Sequence, residues 1–71
     1  MKIGTVQDFG TAIKMRRKKL GYTQSFLAEF TGSSVSFISD LERGKRTAEL
    51  GKALELASVL GMDFLLQERG L

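Results

Sequence analysis

The sequence predicts an all-α fold of four short helices, on three observations. No proline occurs among the 71 residues, and eight glycines divide the chain into segments rich in helix formers. Within those segments apolar residues recur three and four positions apart, the period of a helix with one buried face. Threonine or serine stands before three of the segments, placed to cap a helix.

The first helix is expected to begin at Thr5, with Asp8 three residues on as the partner in a weak capping box. Phe9, Ile13 and Leu20 fall near one face, with Ala12 and Arg17 beside it. The run Arg16-Arg17-Lys18-Lys19 occupies the last turn, where positive charge meets the negative end of the helix dipole. Gly21 closes the helix. Thr23 caps the second helix, whose inward positions are Leu27 and Ala28 and whose end is Gly32. Ser33 or Ser34 caps the third, which runs to about Arg43 with Ile38 and Leu41 buried. The fourth covers roughly 49–60, with Leu50, Ala53, Leu54, Ala57 and Leu60 as its apolar stripe and Gly61 as its stop. In the tail, Phe64, Leu65 and Leu66 form too short a run for a capped helix. The tail reads either as an extended strand or as a segment folded back on the core. A lone strand has nothing to pair with inside one chain.

Composition narrows the function. Residues 1–71 read as one domain, too small to be stable without a tight core, dimerisation or both. There is no cysteine and no histidine, so disulfides, the usual zinc sites and histidine acid–base chemistry are excluded. No nucleophile–base set, phosphate loop or convergent carboxylate pair is legible, so no enzyme, cofactor or metal is expected. The opening MKIGTVQDFG lacks the apolar core of a signal peptide, and no apolar run reaches membrane-span length. A soluble cytoplasmic protein with no membrane role is expected. The net charge of +3 is unevenly spread: residues 1–46 carry +5 and residues 47–71 carry −2. The basic concentrations are the 16–19 run and the trio Arg43, Lys45 and Arg46, which suit a polyanion or, more plainly, form a solvated face.

The second and third helices carry the functional signal. A connection of about three residues containing a glycine makes two helices cross steeply. Close crossing needs a small residue, which Ala28 supplies, and the turn needs a residue tolerant of positive φ, which Gly32 supplies. Counting from Gln24 as one, Ala28 is fifth, Gly32 ninth, Ile38 fifteenth and Leu41 eighteenth. With Leu27 at fourth, this is the spacing of a DNA-binding helix-turn-helix from about Gln24 to Glu42.

The stretch GYTQSFLAEFTGSSVSFISDLERGK resembles the Cro/phage-repressor, or Xre-type, helix-turn-helix family. The family pattern is met at Gly21, Thr23-Gln24, Leu27-Ala28, Gly32, Ile38-Ser39 and Glu42-Arg43-Gly44. A broader similarity, over about residues 2–66, is to HipB-type antitoxins. The resemblance implies a lambda-repressor-like domain whose third helix enters the major groove. Its outward residues Ser34, Val35, Ser36 and Ser39 would then face base edges. Gln24, Arg43, Lys45 and Arg46 would hold backbone phosphates, and Arg17 and Glu42 would form a buried ion pair. Ser33 departs from the pattern, where an aliphatic residue is usual. Phe26 and Phe30 stand at positions commonly polar, and read either as local packing or as a protein-contact surface.

The implied partners are double-stranded DNA with a near-palindromic operator, a second copy of the chain, and a HipA-type kinase toxin. A homodimer would form by pairing the tail across a two-fold axis, burying Phe64, Leu65 and Leu66. The expected function is a repressor that is also an antitoxin and regulates its own operon. The alternatives are a stand-alone Cro-like repressor and a protein-interaction module.

Overall fold

A computed structural model describes residues 2–70. Four helices follow in order: α1 (Val6–Lys19), α2 (Gln24–Thr31), α3 (Val35–Glu42) and α4 (Leu50–Val59). The expected caps set their starts. The Thr5 hydroxyl accepts from the Asp8 N–H, that of Thr23 from Phe26, and that of Ser34 from Phe37, each at 3.0 Å. The Asp8 carboxylate accepts from Gly4 N–H at 3.0 Å, one residue before the capping threonine, so the box at α1 is shifted by one. α4 begins after Glu49 with no side-chain cap.

Each helix contributes one large, fully buried side chain to a common core: Ile13, Leu27, Ile38 and, just past α4, Leu60. Burying such a side chain stabilises by about 1.5–3 kcal/mol. Ala28, Leu41, Ala53, Leu56 and Ala57 complete the core, and Phe9, Tyr22, Phe37, Ala48 and Met62 pack on its rim.

Two side-chain assignments from sequence need correcting. Leu20 lies at the exposed end of α1 rather than on its buried face. In α4 the buried stripe is Ala53, Leu56, Ala57 and Leu60, while Leu50 and Leu54 face outward. The segment offers two overlapping helical registers, 50-53-54-57 and 53-56-57-60. Both have the right period, and only packing against the other helices decides between them.

Gly10 has a role that its sequence context hides. A Cβ there would lie 2.7 Å from the carbonyl oxygen of Glu42 and collide with that of Leu41. The absent side chain lets α1 lie directly on the end of α3, at Leu41 and Glu42.

The tail forms no strand among the described residues. Phe64 turns back on its own chain, with its ring centroid 5.7 Å from that of Phe9. Leu65 and Leu66 remain exposed. No helix among the described residues is long and apolar enough to cross a membrane.

Candidate DNA interface

The α2–α3 corner is built by three residues. Ala28 is buried where the helices cross, and Gly32 ends α2 at φ 72°. Ser33 N–H then donates to the Ala28 carbonyl at 3.0 Å, which turns the chain sharply into α3. Ser33 supplies no apolar packing. Its hydroxyl instead shares a 2.9 Å hydrogen bond with that of Thr31, which donates to the Leu27 carbonyl at 2.7 Å.

The far end of α3 is held by a buried network. Arg17 Nε donates to Glu42 Oε2 at 2.6 Å and Nη2 to Oε1 at 2.9 Å, a two-pronged pair with side chains 9% and 3% exposed. The third branch, Arg17 Nη1, donates to the Tyr22 carbonyl at 2.9 Å. One guanidinium thus ties α1, the loop before α2 and the end of α3 together. Burial pushes the Glu42 carboxyl upward. Hydrogen bonds from Arg17 and Gln24, with the charges of Arg17 and Lys14, outweigh it and hold the group below its ordinary value. The bond to Glu42 raises Arg17 against the opposing effect of burial. Both ions stay charged, and the pair fixes the angle at which α3 is presented.

Gln24 belongs to this network. Its amide donates to Glu42 Oε1 at 3.0 Å, bracing the first turn of α2 against α3. One amide N–H is therefore committed, and only the second is left for a phosphate.

On the outward face of α3, Ser36 and Val35 are exposed. Ser34 is the cap: one lone pair of its hydroxyl oxygen is taken by the Phe37 N–H, which leaves the O–H and the second lone pair. Ser39 is half-buried and accepts from Arg43 Nη1 at 2.9 Å. Of the four outward positions expected from sequence, Val35 and Ser36 are thus open, while Ser34 and Ser39 are partly engaged.

The basic residues are engaged too. Arg43 Nη2 donates to Asp40 Oδ1 at 2.7 Å, and Lys45 Nζ lies 3.4 Å from Asp40 Oδ2. Arg46 is exposed and in no ion pair among the described residues. In the 16–19 run, Arg16 Nε donates to the Leu60 carbonyl at 2.7 Å and fastens α1 to the end of α4. Sequence reading gave Asp40 and Arg16 no such roles. For Asp40 the signal was present, since Arg43 follows it at the i,i+3 spacing of a helical ion pair.

Phe26 and Phe30 are 48% and 67% exposed. Phe26 packs on Tyr22 at 5.0 Å between centroids, and Phe30 stacks on Phe26 at 6.0 Å with rings nearly parallel. Local packing and a largely open aromatic face therefore coexist.

Comparison with known proteins agrees with this geometry. The helix-turn-helix family pattern matches residues 13–66. The uncharacterized HTH-type transcriptional regulator y4mF of Sinorhizobium fredii is 40% identical over 60 residues, covering 84% of this chain and 79% of that protein. Among solved structures, the HipB–O4 20mer complex is similar at TM-score 0.87 and 26% identity, covering 99% of each chain. A chain of the HipA–HipB–O2–O3 complex matches with the same score, identity and coverage.

Proposed function

The chain belongs to the helix-turn-helix family, and from that membership we propose that it is a sequence-specific DNA-binding repressor acting as a homodimer on a near-palindromic operator. The observation that carries the reading is the presentation of α3. Its open residues Val35 and Ser36 project from a helix whose far end is locked by the Arg17–Glu42–Gln24 network, with Arg43, Lys45 and Arg46 beside it. In the groove, Ser36 donates to or accepts from a base edge and Val35 meets a thymine methyl. Arg46, Arg43, Lys45 and the second N–H of Gln24 hold phosphates, which position the helix without reading sequence. No arginine or glutamine fork stands on the open face, so base readout is modest and DNA shape contributes. Selection from random duplexes tests this. The wild-type chain enriches a paired motif, and Ser36→Glu weakens binding to it by about 1–3 kcal/mol, roughly 5- to 150-fold, with the helical signal intact. Equal affinity of Ser36→Glu for the enriched motif would remove α3 as the reader.

A single reading helix covers only a few base pairs, whereas a two-fold dimer sets two of them about 34 Å apart, one turn of DNA. We assign the dimer contact to the tail. Leu65 and Leu66 are 79% and 89% exposed, and Phe64, 5.7 Å from Phe9 between ring centroids, lines with Val6 and Leu50 a groove of about 430 Å³. Pairing residues 62–67 with their twin satisfies backbone groups and buries these side chains. Deleting residues 62–71 leaves a helical monomer in sedimentation with steeply reduced operator affinity. A truncated chain that stays a tight dimer overturns the assignment.

The likeness to HipB extends the reading to the antitoxin of a HipA-type kinase that represses its own operon from the cytoplasm. A kinase reading frame beside this gene, whose growth arrest the chain relieves on coexpression, is the expected finding. An isolated gene favours the stand-alone repressor.

A further inference from the structure

Asp40 sits on the recognition helix between the residues that face bases and the cations that follow them. Both of its carboxylate oxygens are occupied, Oδ1 by Arg43 at 2.7 Å and Oδ2 by Lys45 at 3.4 Å. Arg43 reaches further, to the Ser39 hydroxyl at 2.9 Å, so its guanidinium is held by two side chains of α3. The Asp40, Arg43 and Lys45 side chains are 28%, 71% and 52% exposed. A cluster this open adds little to folding stability, so its effect falls on whatever approaches the face.

Resting on the DNA-binding reading above, we propose that Asp40 is an affinity-setting residue that restrains Arg43 and Lys45, lowering affinity for DNA of any sequence while leaving the base contacts of Val35 and Ser36 unchanged. The argument is one of charge. Two cations sharing a carboxylate present one net positive charge to a phosphate, not two. To grip the backbone fully they must leave Asp40 or carry its negative charge to the phosphate, and either course weakens the contact. Every duplex has the same phosphates, so this loss is common to all sequences. Hydrogen-bond and methyl contacts to base edges do not share it. Operator and random affinities therefore fall by the same factor, so Asp40 sets the strength and salt dependence of binding rather than the ratio between sequences.

Only part of the basic trio is restrained. Arg46 keeps its charge free of Asp40 and supplies the attraction needed for encounter. The corner thus separates one cation for capture from two whose grip is discounted.

The test uses the full chain and a random-sequence duplex of about 30 base pairs, followed by fluorescence anisotropy between 50 and 200 mM salt. Asp40→Asn keeps the shape and an acceptor for Arg43 but removes the charge. It is expected to bind the random duplex about tenfold tighter at the lowest salt. The slope of log affinity against log salt should steepen by about 0.9 per subunit, so that the advantage shrinks about threefold per subunit across the titration. Asp40→Glu, which restores the charge, should return to the wild-type slope. A merely structural role for Asp40 would not move the slope. Asp40→Asn with wild-type affinity and slope overturns the proposal, as does weaker binding, which would mean that Asp40 organises the cations for contact. A wild-type chain that ignores the duplex at the lowest salt overturns the DNA-binding reading, and this inference with it.

Discussion

Glu42 and Asp40 lie two residues apart on α3, and each accepts hydrogen bonds from an arginine. At Glu42 the partner Arg17 comes from α1, both side chains are withdrawn from water, and three further links through Tyr22, Gln24 and the second carboxylate oxygen close the network. At Asp40 the partner Arg43 is the residue that caps the end of the same helix and stands in solvent. The chemistry is the same, so the difference between the two sites isolates burial and chain separation. A buried pair spanning 25 residues fixes how two helices meet, and an exposed pair spanning three only rearranges charge on one helix.

The widest gap between the two sites should appear on removing one partner. Glu42→Ala strands a buried guanidinium and leaves Gln24 without its acceptor, at a cost of about 3–5 kcal/mol. A domain of this size holds roughly 4–10 kcal/mol in total, so the variant should lose between about a third and all of its stability in urea titrations. A midpoint close to wild type would mean that water already reaches Arg17. At the exposed site, Arg43→Ala should change stability by less than about 1 kcal/mol while weakening DNA binding. If Arg43→Ala destabilises as much as Glu42→Ala, exposure is not the variable that separates the two pairs.

Local features were the most legible in the sequence. The caps at Thr5 and Thr23 and the glycine turn at Gly32 each depend on a few neighbouring residues and stand where the pattern puts them, and of the two serines the pattern allowed for the third cap the structure uses Ser34. The choice of register in α4 was not legible, because two leucine stripes share one period and the deciding contacts come from elsewhere in the chain. Gly10 shows the same limit. A glycine inside a helix reads as a small local penalty, and only the closeness of α3 reveals its purpose. Within the site, motif spacing located the residues but not their engagements. Whether Ser34 caps or reads, or Gln24 braces or reaches outward, is set by hydrogen bonds that spacing does not encode.

Val35 and Ser36 belong neither to the buried core nor to the ion-pair network. Substitutions at such surface positions generally alter stability by no more than about 0.5 kcal/mol. Duplicated genes can therefore drift apart in the operators they occupy through one or two changes here, without compensating mutations in the interior. Ser34, one residue earlier, lacks that freedom, because losing its cap costs about 1 kcal/mol. Among paralogues the two sites should keep different evolutionary tempos: rapid turnover at positions 35 and 36, and restriction at 34 to serine, threonine, aspartate or asparagine.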